Sequence, residues 1–174
     1  MKYSENWVMW KTNVGPGTCF KCLARNKRIF FIDELIEKNE PPLHPNCKCE
    51  RIRIQTIVAG NATNLGTNGA DWWIKYLQEL PEYYITREEA KNAGWIDWKG
   101  NLANVAPKKM LFGGIFKNKK DILPKKEGRI WFEADINYND GYRNKQRIVF
   151  SNDGLIFVTY DHYETFAEII GEEN

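Results

Sequence analysis

The four cysteines of this chain all lie within its first 49 residues, and their spacing restricts the fold more than any other feature. Cys19 and Cys22 form a CxxC pair, and Cys47 and Cys49 form a CxC pair. Two such pairs on tight turns supply four thiolate ligands to one tetrahedral zinc ion, with His44 as a fifth candidate. A module of fewer than about 60 residues has a thin core, so a staple of this kind is expected. Disulfides, favoured in an exported chain, or free thiols are the alternatives.

A change in composition separates the cysteines from the rest of the chain. Residues 59–69 contain three glycines and no Lys, Arg, Asp or Glu, which predicts a flexible linker. Before it, residues 50–58 alternate polar and apolar side chains, which indicates a half-exposed strand. The sequence therefore predicts a Cys-rich β module at 1–58, a linker at 59–69 and a second domain at 70–174.

The second domain begins with helix signals and ends with strand signals. Residues 71–80 place apolar side chains near one helical face, and Thr86 with Glu89 forms a capping box. Alternating or β-branched runs then predict strands at 129–136, 147–151 and 155–160, separated by Asn-Asp-Gly turns. Helices followed by an antiparallel sheet predict an α+β fold, with the N-terminal helices packed on the sheet.

Composition narrows the class of protein. Hydrophobic residues make up 43% and charged residues 28% of the chain, which is typical of a globular protein. No apolar run approaches the roughly 20 residues that a membrane helix needs, and residues 1–17 lack the apolar core of a signal peptide. Residues 108–129 hold eight Lys or Arg and two acids, which indicates either a solvated lysine face or a surface that attracts a phosphate backbone.

One set of residues in the second domain fits RNA cleavage without a metal. That reaction needs a base for the 2′-hydroxyl proton, an acid for the departing 5′-oxygen, and fixed positive charge around the phosphorus. Glu133 lies on a predicted strand, and His162 is the only histidine of the domain. Arg143 and Arg147 flank the entry to the next strand and can meet phosphate oxygens with both arms of the guanidinium.

A family resemblance covers about residues 71–169. It rests on Glu-Ala-Asp-Ile-Asn-Tyr at 133–138, Asp-His-Tyr at 161–163, and matching stretches at 84–90, 94–95, 99–103, 105–107, 128–129, 141–144 and 147–148. This part of the chain resembles the barnase-like family of microbial guanyl-preferring ribonucleases. The resemblance implies that Glu133 is the general base and His162 the general acid. It also implies that Arg143 and Arg147 bind phosphate, that Arg87 replaces an active-site lysine, and that Tyr163 lies beside the site.

The segment that reads the base departs from the family pattern. In the family, Ile-Phe is followed by a run that holds Asn, Arg and then a Glu that recognises guanine. Phe116 and Asn118 are kept here, whereas Lys119 stands at the Arg position and Lys120 at the Glu position. The resemblance thus implies that the substrate is contacted by Phe116, Asn118, Lys119 and Tyr163. The two lysines imply a weaker preference for guanine than the family shows.

The cysteine segment has a resemblance of its own. Cys19-x-x-Cys22 followed by Pro-Pro-Leu-His-Pro-Asn-Cys-Lys-Cys at 41–49 is similar to the end of phage Mu F-like head morphogenesis proteins. This likeness covers about 40 residues, and in such proteins a toxin domain often follows this region.

Together these features predict a modular RNA-degrading toxin whose catalysis requires no cofactor, with a structural zinc in the N-terminal module. We expect it to be secreted, or delivered as an effector, without a classical signal peptide. The resemblance implies an acidic barstar-like inhibitor as a partner, and no membrane association is expected. The alternative is a catalytically weak RNA-binding or phage head-associated protein with a vestigial nuclease domain.

Overall fold

The computed structural model describes residues 2–34 and 40–172. The chain forms two compact units. The first comprises Met1–Thr56 together with Asn118–Gly128, and the second comprises Ile57–Lys117 together with Arg129–Asn174. The segment Asn118–Gly128, which we call the recognition segment, is thus a part of the first unit although it lies within the predicted second domain.

The first unit is built on a short antiparallel sheet. Its described elements are strand β1 (Tyr3–Thr12), helix α1 (Phe20–Arg25), strand β2 (Ile29–Phe31) and strand β3 (Cys49–Val58), whose last two residues belong to the second unit. Strand β1 lies between β2 and β3 and pairs with both. The buried side chains of Val8 and Trp10 on β1 pack against Phe30 and Leu43. The strand predicted at 50–58 is therefore confirmed as β3.

The second unit has its helices first and its sheet afterwards. The elements are α2 (Ala70–Leu77), β4 (Tyr84–Thr86), α3 (Arg87–Asn92), α4 (Leu102–Val105), β5 (Met110–Phe116), β6 (Trp131–Asp135), β7 (Arg147–Ser151), β8 (Ile156–Thr159) and β9 (Ala167–Ile170). Within this unit the strand order is β9-β8-β7-β6-β5-β4. All neighbours are antiparallel except β4 and β5, which are parallel. The predicted α+β class is confirmed.

Two apolar clusters hold the helices against this sheet. Ala70 and Ile74 of α2 pack with sheet residues such as Ile148 and Val158, all of them buried. A second cluster joins α3 and α4 to β5 through Ala90, Trp95, Leu102, Leu111 and Tyr138. The first cluster also contains Ala134 of β6, so β6 and β7 are packed strands that can hold functional side chains in fixed positions.

Residues 59–69 are packed rather than flexible. Ala59 and Ala62 are buried in the core of the second unit, and the amide of Ala59 donates to the carbonyl of Ile170. The amides of Gly60 and Ala62 donate to the fully buried carboxylate of Asp71, at 2.7 and 2.9 Å. The small side chains that suggested a linker instead allow the backbone to approach Asp71. The flexible linker is thus not observed, while the domain boundaries themselves stay a prediction.

Candidate active site

Strand β6 presents two carboxylates on one face of the sheet. Glu133 and Asp135 are two residues apart, so their side chains point to the same side. Glu133 is half-buried, whereas only 1% of the surface of Asp135 is exposed. Across the sheet, a Cβ atom at Gly113 on β5 would lie 2.7 Å from Cγ and 2.9 Å from Oε1 of Glu133. A glycine at position 113 therefore leaves the space that the Glu133 side chain occupies.

Asp135 holds both of the predicted phosphate-binding arginines. Its carboxylate accepts from Nε and Nη2 of Arg143, at 2.7 and 2.6 Å, and lies 3.1 Å from Nε of Arg147. Nη1 of Arg147 also donates to the carbonyls of Asn144 and Gln146. Each guanidinium is thus tied by several bonds, and the two positive charges are fixed side by side.

The surroundings shift the pKa values of the two arginines in opposite directions. The hydrogen bonds to Asp135 raise the pKa of Arg143 above its usual value. Burial lowers the pKa of Arg147, and the nearby charge of Arg143 lowers it further. An arginine side chain has such a high intrinsic pKa that both remain cationic at neutral pH. Because Glu133 interacts electrostatically with both arginines, they form one site with it.

A tight turn after β8 carries His162 and Tyr163. The carboxylate of Asp161 organises this turn by accepting from the hydroxyl of Thr159 and from the amide and hydroxyl of Thr165. Burial raises the pKa of Asp161, but these hydrogen bonds outweigh it and hold the pKa below its usual value. His162 and Tyr163 both have left-handed backbone conformations, with φ of 59° and 70°. His162 is exposed in this turn, whereas Tyr163 is half-buried.

Tyr163 connects the histidine to the carboxylate. Its hydroxyl donates a short hydrogen bond to Oε2 of Glu133, and its ring centroid lies 5.0 Å from that of the exposed His162. Burial, followed by the bond to Glu133, raises the pKa of Tyr163 well above its usual value, so the hydroxyl stays protonated. The ring of Phe116 lies 5.4 Å from that of Tyr163. Tyr163 is therefore the residue that Glu133, His162 and Phe116 have in common as a neighbour.

The remaining predicted residues occupy other positions. Arg87 is the first residue of α3, and no hydrogen bond or ion pair joins it to Glu133 or Asp135 in the part of the chain that the structure describes. Asn118 and Lys119 belong to the first unit. The side-chain amide of Asn118 donates to the carbonyl of Leu123 and accepts from its amide, at 2.8 and 3.0 Å.

Asp135 and Gly113 also belong to this site, although neither was among the residues predicted from the sequence. Alternation along a strand would have placed Asp135 on the face of Glu133. A Gly-Gly pair inside a strand pattern often marks a close approach of another group, and this signal was available at Gly113.

The cysteines form a separate cluster in the first unit. Cys19 is the N-cap of α1, and its Sγ lies 3.2 Å from Sγ of Cys22. Nε2 of His44 lies 3.2 Å from Sγ of Cys19 and 3.3 Å from Sγ of Cys22, while Sγ of Cys47 lies 3.7 Å from that of Cys22. All four cysteines, including Cys49, are free thiols in this structure. Cys19, Cys22 and His44 form one group able to hold a metal ion, and Cys22, Cys47 and Cys49 form another.

The fold and the site define an α+β protein that presents a carboxylate, an imidazole and fixed positive charge. A sequence profile of the ribonuclease family matches residues 74–170, which is more than half of the chain. The chain therefore belongs to the ribonuclease family, and the barnase-like resemblance is confirmed.

Relatives support this assignment. A ribonuclease of Heyndrickxia coagulans is 52% identical over 100 residues, which cover 58% of this chain and 91% of that protein. Ribonucleases of Bacillus intermedius and Bacillus pumilus are each 51% identical over 100 residues, covering 58% of this chain and 61% of theirs. The chain thus spans less than two thirds of the two Bacillus proteins. Among residues 2–34 and 40–172, no helix is both long and apolar enough to cross a membrane.

Proposed function

We propose that this protein is a metal-independent endoribonuclease that cleaves single-stranded RNA. Membership of the ribonuclease family supports the activity. The observation that carries the mechanism is the fixed arginine pair, Arg143 and Arg147, on Asp135 next to Glu133. Two immobile guanidinium groups neutralise the charge that builds up on a phosphate in the transition state, and they do so without reorganising.

Cleavage proceeds in two steps. In the first, Glu133 takes the proton of the 2′-hydroxyl, the 2′-oxygen bonds to phosphorus, and the 5′-oxygen leaves with a proton from His162. The products are a 2′,3′-cyclic phosphate and a free 5′-hydroxyl. In the second step the roles reverse: His162 takes a proton from water, the hydroxide opens the cycle, and Glu133 protonates the 2′-oxygen.

The other side chains position the substrate. Tyr163 donates to Glu133 and so orients its carboxylate, and its ring with that of Phe116 offers an apolar surface for a base. Arg87 supplies a further positive charge at the start of α3. Asn118 and Lys119 on the recognition segment contact the base and its flanking phosphate.

The biological role that fits this activity is that of a toxin. A ribonuclease that meets the RNA of its own cell degrades it, so we propose an acidic inhibitor that covers the same arginines. A carboxylate-rich surface competes with RNA phosphates for Arg143 and Arg147 because both are anionic. We also propose that the toxin is delivered as an effector. Its cysteine module, which resembles the end of phage head-like proteins, is the part that links it to such proteins.

Digestion of RNA by the full chain in EDTA tests the function. We expect cleavage of single-stranded RNA to products that end in a 2′,3′-cyclic phosphate, seen by mass spectrometry at early times. A requirement for added Mg²⁺ contradicts the mechanism. Binding without cleavage supports the RNA-binding alternative with a vestigial nuclease domain.

A further inference from the structure

The geometry points to a zinc site formed by Cys19, Cys22, His44 and Cys47, with Cys49 outside the coordination sphere. In a tetrahedral zinc site, ligand bonds of about 2.3 Å to sulfur and about 2.0–2.1 Å to nitrogen place two sulfurs roughly 3.8 Å apart and a sulfur and a nitrogen roughly 3.6 Å apart. The four observed distances lie between 3.2 and 3.7 Å. Cys47 does not lie within 4.8 Å of both Cys19 and His44, so its thiol has to move toward them by about 1 Å or more to complete the tetrahedron.

The hydrogen bonding of His44 leaves the correct nitrogen free. Its Nδ1 lies 2.8 Å from the carbonyl oxygen of Pro45, which can only accept, so Nδ1 carries the proton. The lone pair is then on Nε2, the atom that faces Cys19 and Cys22. A backbone carbonyl that fixes the tautomer in this way is the usual support of a zinc-binding histidine.

Cys49 is the weaker candidate for the fourth ligand, since Sγ of Cys47 already lies 3.7 Å from that of Cys22. Sγ of Cys49 lies 3.4 Å from Oγ1 of Thr12, whose single proton is donated to the carbonyl of Cys22 at 2.8 Å. This contact gives Cys49 a neighbour outside the cysteine cluster. Cys49 nevertheless lies within 4.8 Å of Cys22 and Cys47, so it is the competing ligand that the experiment has to exclude.

Binding of Zn²⁺ by this set displaces three thiol protons and leaves a complex of net charge −1. X-ray absorption on the zinc-loaded full chain tests the assignment, with an expected first shell of three sulfurs and one nitrogen and about one zinc per chain. A shell of four sulfurs overturns it, as does a chain that retains no zinc or contains two disulfides by mass spectrometry.

Variants provide a second test. His44→Ala and Cys47→Ser should lose most of the bound zinc, and the matched control Cys49→Ser should retain it. Loss of zinc from Cys49→Ser to the same extent as from Cys47→Ser contradicts the ligand set. If a variant fails to fold, the ligand set is decided by the absorption measurement, because that measurement uses the unaltered chain.

A second inference comes from different contacts and rests on the proposed function. The recognition segment is hydrogen-bonded to strand β2 and the residue before it. The amide of Ile29 donates to the carbonyl of Ile122 at 2.7 Å, and Nε of Arg28 donates to the carbonyl of Asp121 at 3.1 Å. Leu123, one residue further, is 1% exposed and holds the side chain of Asn118 by two bonds.

From these contacts we infer that Arg28 is a positioning residue for RNA recognition, although it lies more than 80 residues away from the recognition segment in the sequence. It holds the backbone of Asp121, and this sets the presentation of Asn118, Lys119 and Lys120. A loop held in one conformation loses less entropy when it binds a base.

Kinetics on dinucleotides with each of the four bases test this role. Arg28→Ala should raise KM severalfold and change the base preference, with kcat within about twofold of wild type. Arg53→Ala removes the same charge from an exposed position in the same unit and should change neither. Identical effects of the two substitutions, or a loss confined to kcat, overturn the inference. An inactive wild-type chain instead refutes the proposed function itself.

Discussion

The carboxylate of Asp135 receives two hydrogen bonds from the guanidinium of Arg143, at 2.7 and 2.6 Å, in a position that is 1% exposed to solvent. The same carboxylate pairs with Arg147. Asp135 contacts no reacting atom in the proposed mechanism, and yet it holds both of the arginines that we propose to bind phosphate.

Replacement of this carboxylate should affect both activity and stability. Asp135→Asn leaves two closely spaced guanidinium groups without a counter-charge, which costs about 3–5 kcal/mol of unfolding free energy. We expect kcat/KM to fall by about 10²-fold, because displaced arginines no longer match the transition state. Urea unfolding and initial rates on RNA measure the two effects.

The control for that experiment is Asp153→Asn. Arg129 binds the carboxylate of Asp153 with a similar bidentate geometry, but Asp153 is more exposed and lies on the turn after β7. Its loss should cost about 1 kcal/mol or less and leave the rate unchanged. Equal loss of activity in both variants would show that Asp135 has no special role.

The space at Gly113 should be required for catalysis. Gly113→Ala places a methyl group 2.7 Å from Cγ of Glu133, so the carboxylate has to move. A displacement of about 1 Å at a proton-transfer group costs roughly 10²-fold in kcat, with KM little changed. Gly15→Ala, where no atom lies within 4 Å of the new methyl, is the control. A fully active Gly113→Ala variant would contradict the role given to Glu133.

The two proton-transfer residues should be individually essential. Glu133→Ala and His162→Ala each remove one partner of the acid–base pair and should lower kcat by about 10²–10⁴-fold. Thermal unfolding should remain cooperative, because His162 is exposed and Glu133 is only half-buried. The assignment fails if either variant keeps more than a tenth of the wild-type rate.

Base preference should be weaker than in enzymes with a guanine-reading glutamate. Lys120 offers only donors where the N1–H and N2–H groups of guanine need an acceptor, and the carboxylate of Asp121 is engaged by Lys125. Lys120→Glu should therefore sharpen cleavage after guanine on a mixed oligonucleotide panel.

Lys119→Glu is the control for Lys120→Glu, because it makes the same change of charge one residue earlier. It should slow cleavage after every base alike and leave the base preference unchanged. A strong guanine preference in the wild type that Asp121→Asn leaves unchanged would refute this prediction.

An inhibitor that covers the arginine pair should depend on it. Arg143→Glu turns a favourable contact with an inhibitor carboxylate into a repulsive one and should weaken binding by orders of magnitude. Association with the wild type should also slow as salt increases, because the attraction is screened. Surface plasmon resonance measures both, with Arg53→Glu as the control. An inhibitor whose affinity is indifferent to Arg143 but sensitive to the cysteine module would contradict the proposed mode.

Local signals in the sequence predicted much of the second unit. The capping box at Thr86 and Glu89 starts α3 as expected, since both bonds lie within one turn. The strand predicted at 147–151 corresponds to β7, and those at 129–136 and 155–160 are slightly longer than β6 and β8. Glu133, His162, Arg143 and Arg147 have the residue types that phosphate chemistry needs, but it is the resemblance to the barnase-like family that predicts their roles.

The tertiary structure decided everything that depends on partners far apart in the chain. The amides that bind Asp71 make residues 59–69 part of a core, although their composition is that of a linker. Nothing local to Asp135 shows that two arginines converge on it, and nothing local to His44 shows which thiols its Nε2 will face. Likewise, only the folded chain brings Arg28 to the backbone of Asp121. Periodicity and capping are properties of neighbouring residues, whereas burial and charge pairing exist only once distant segments have met.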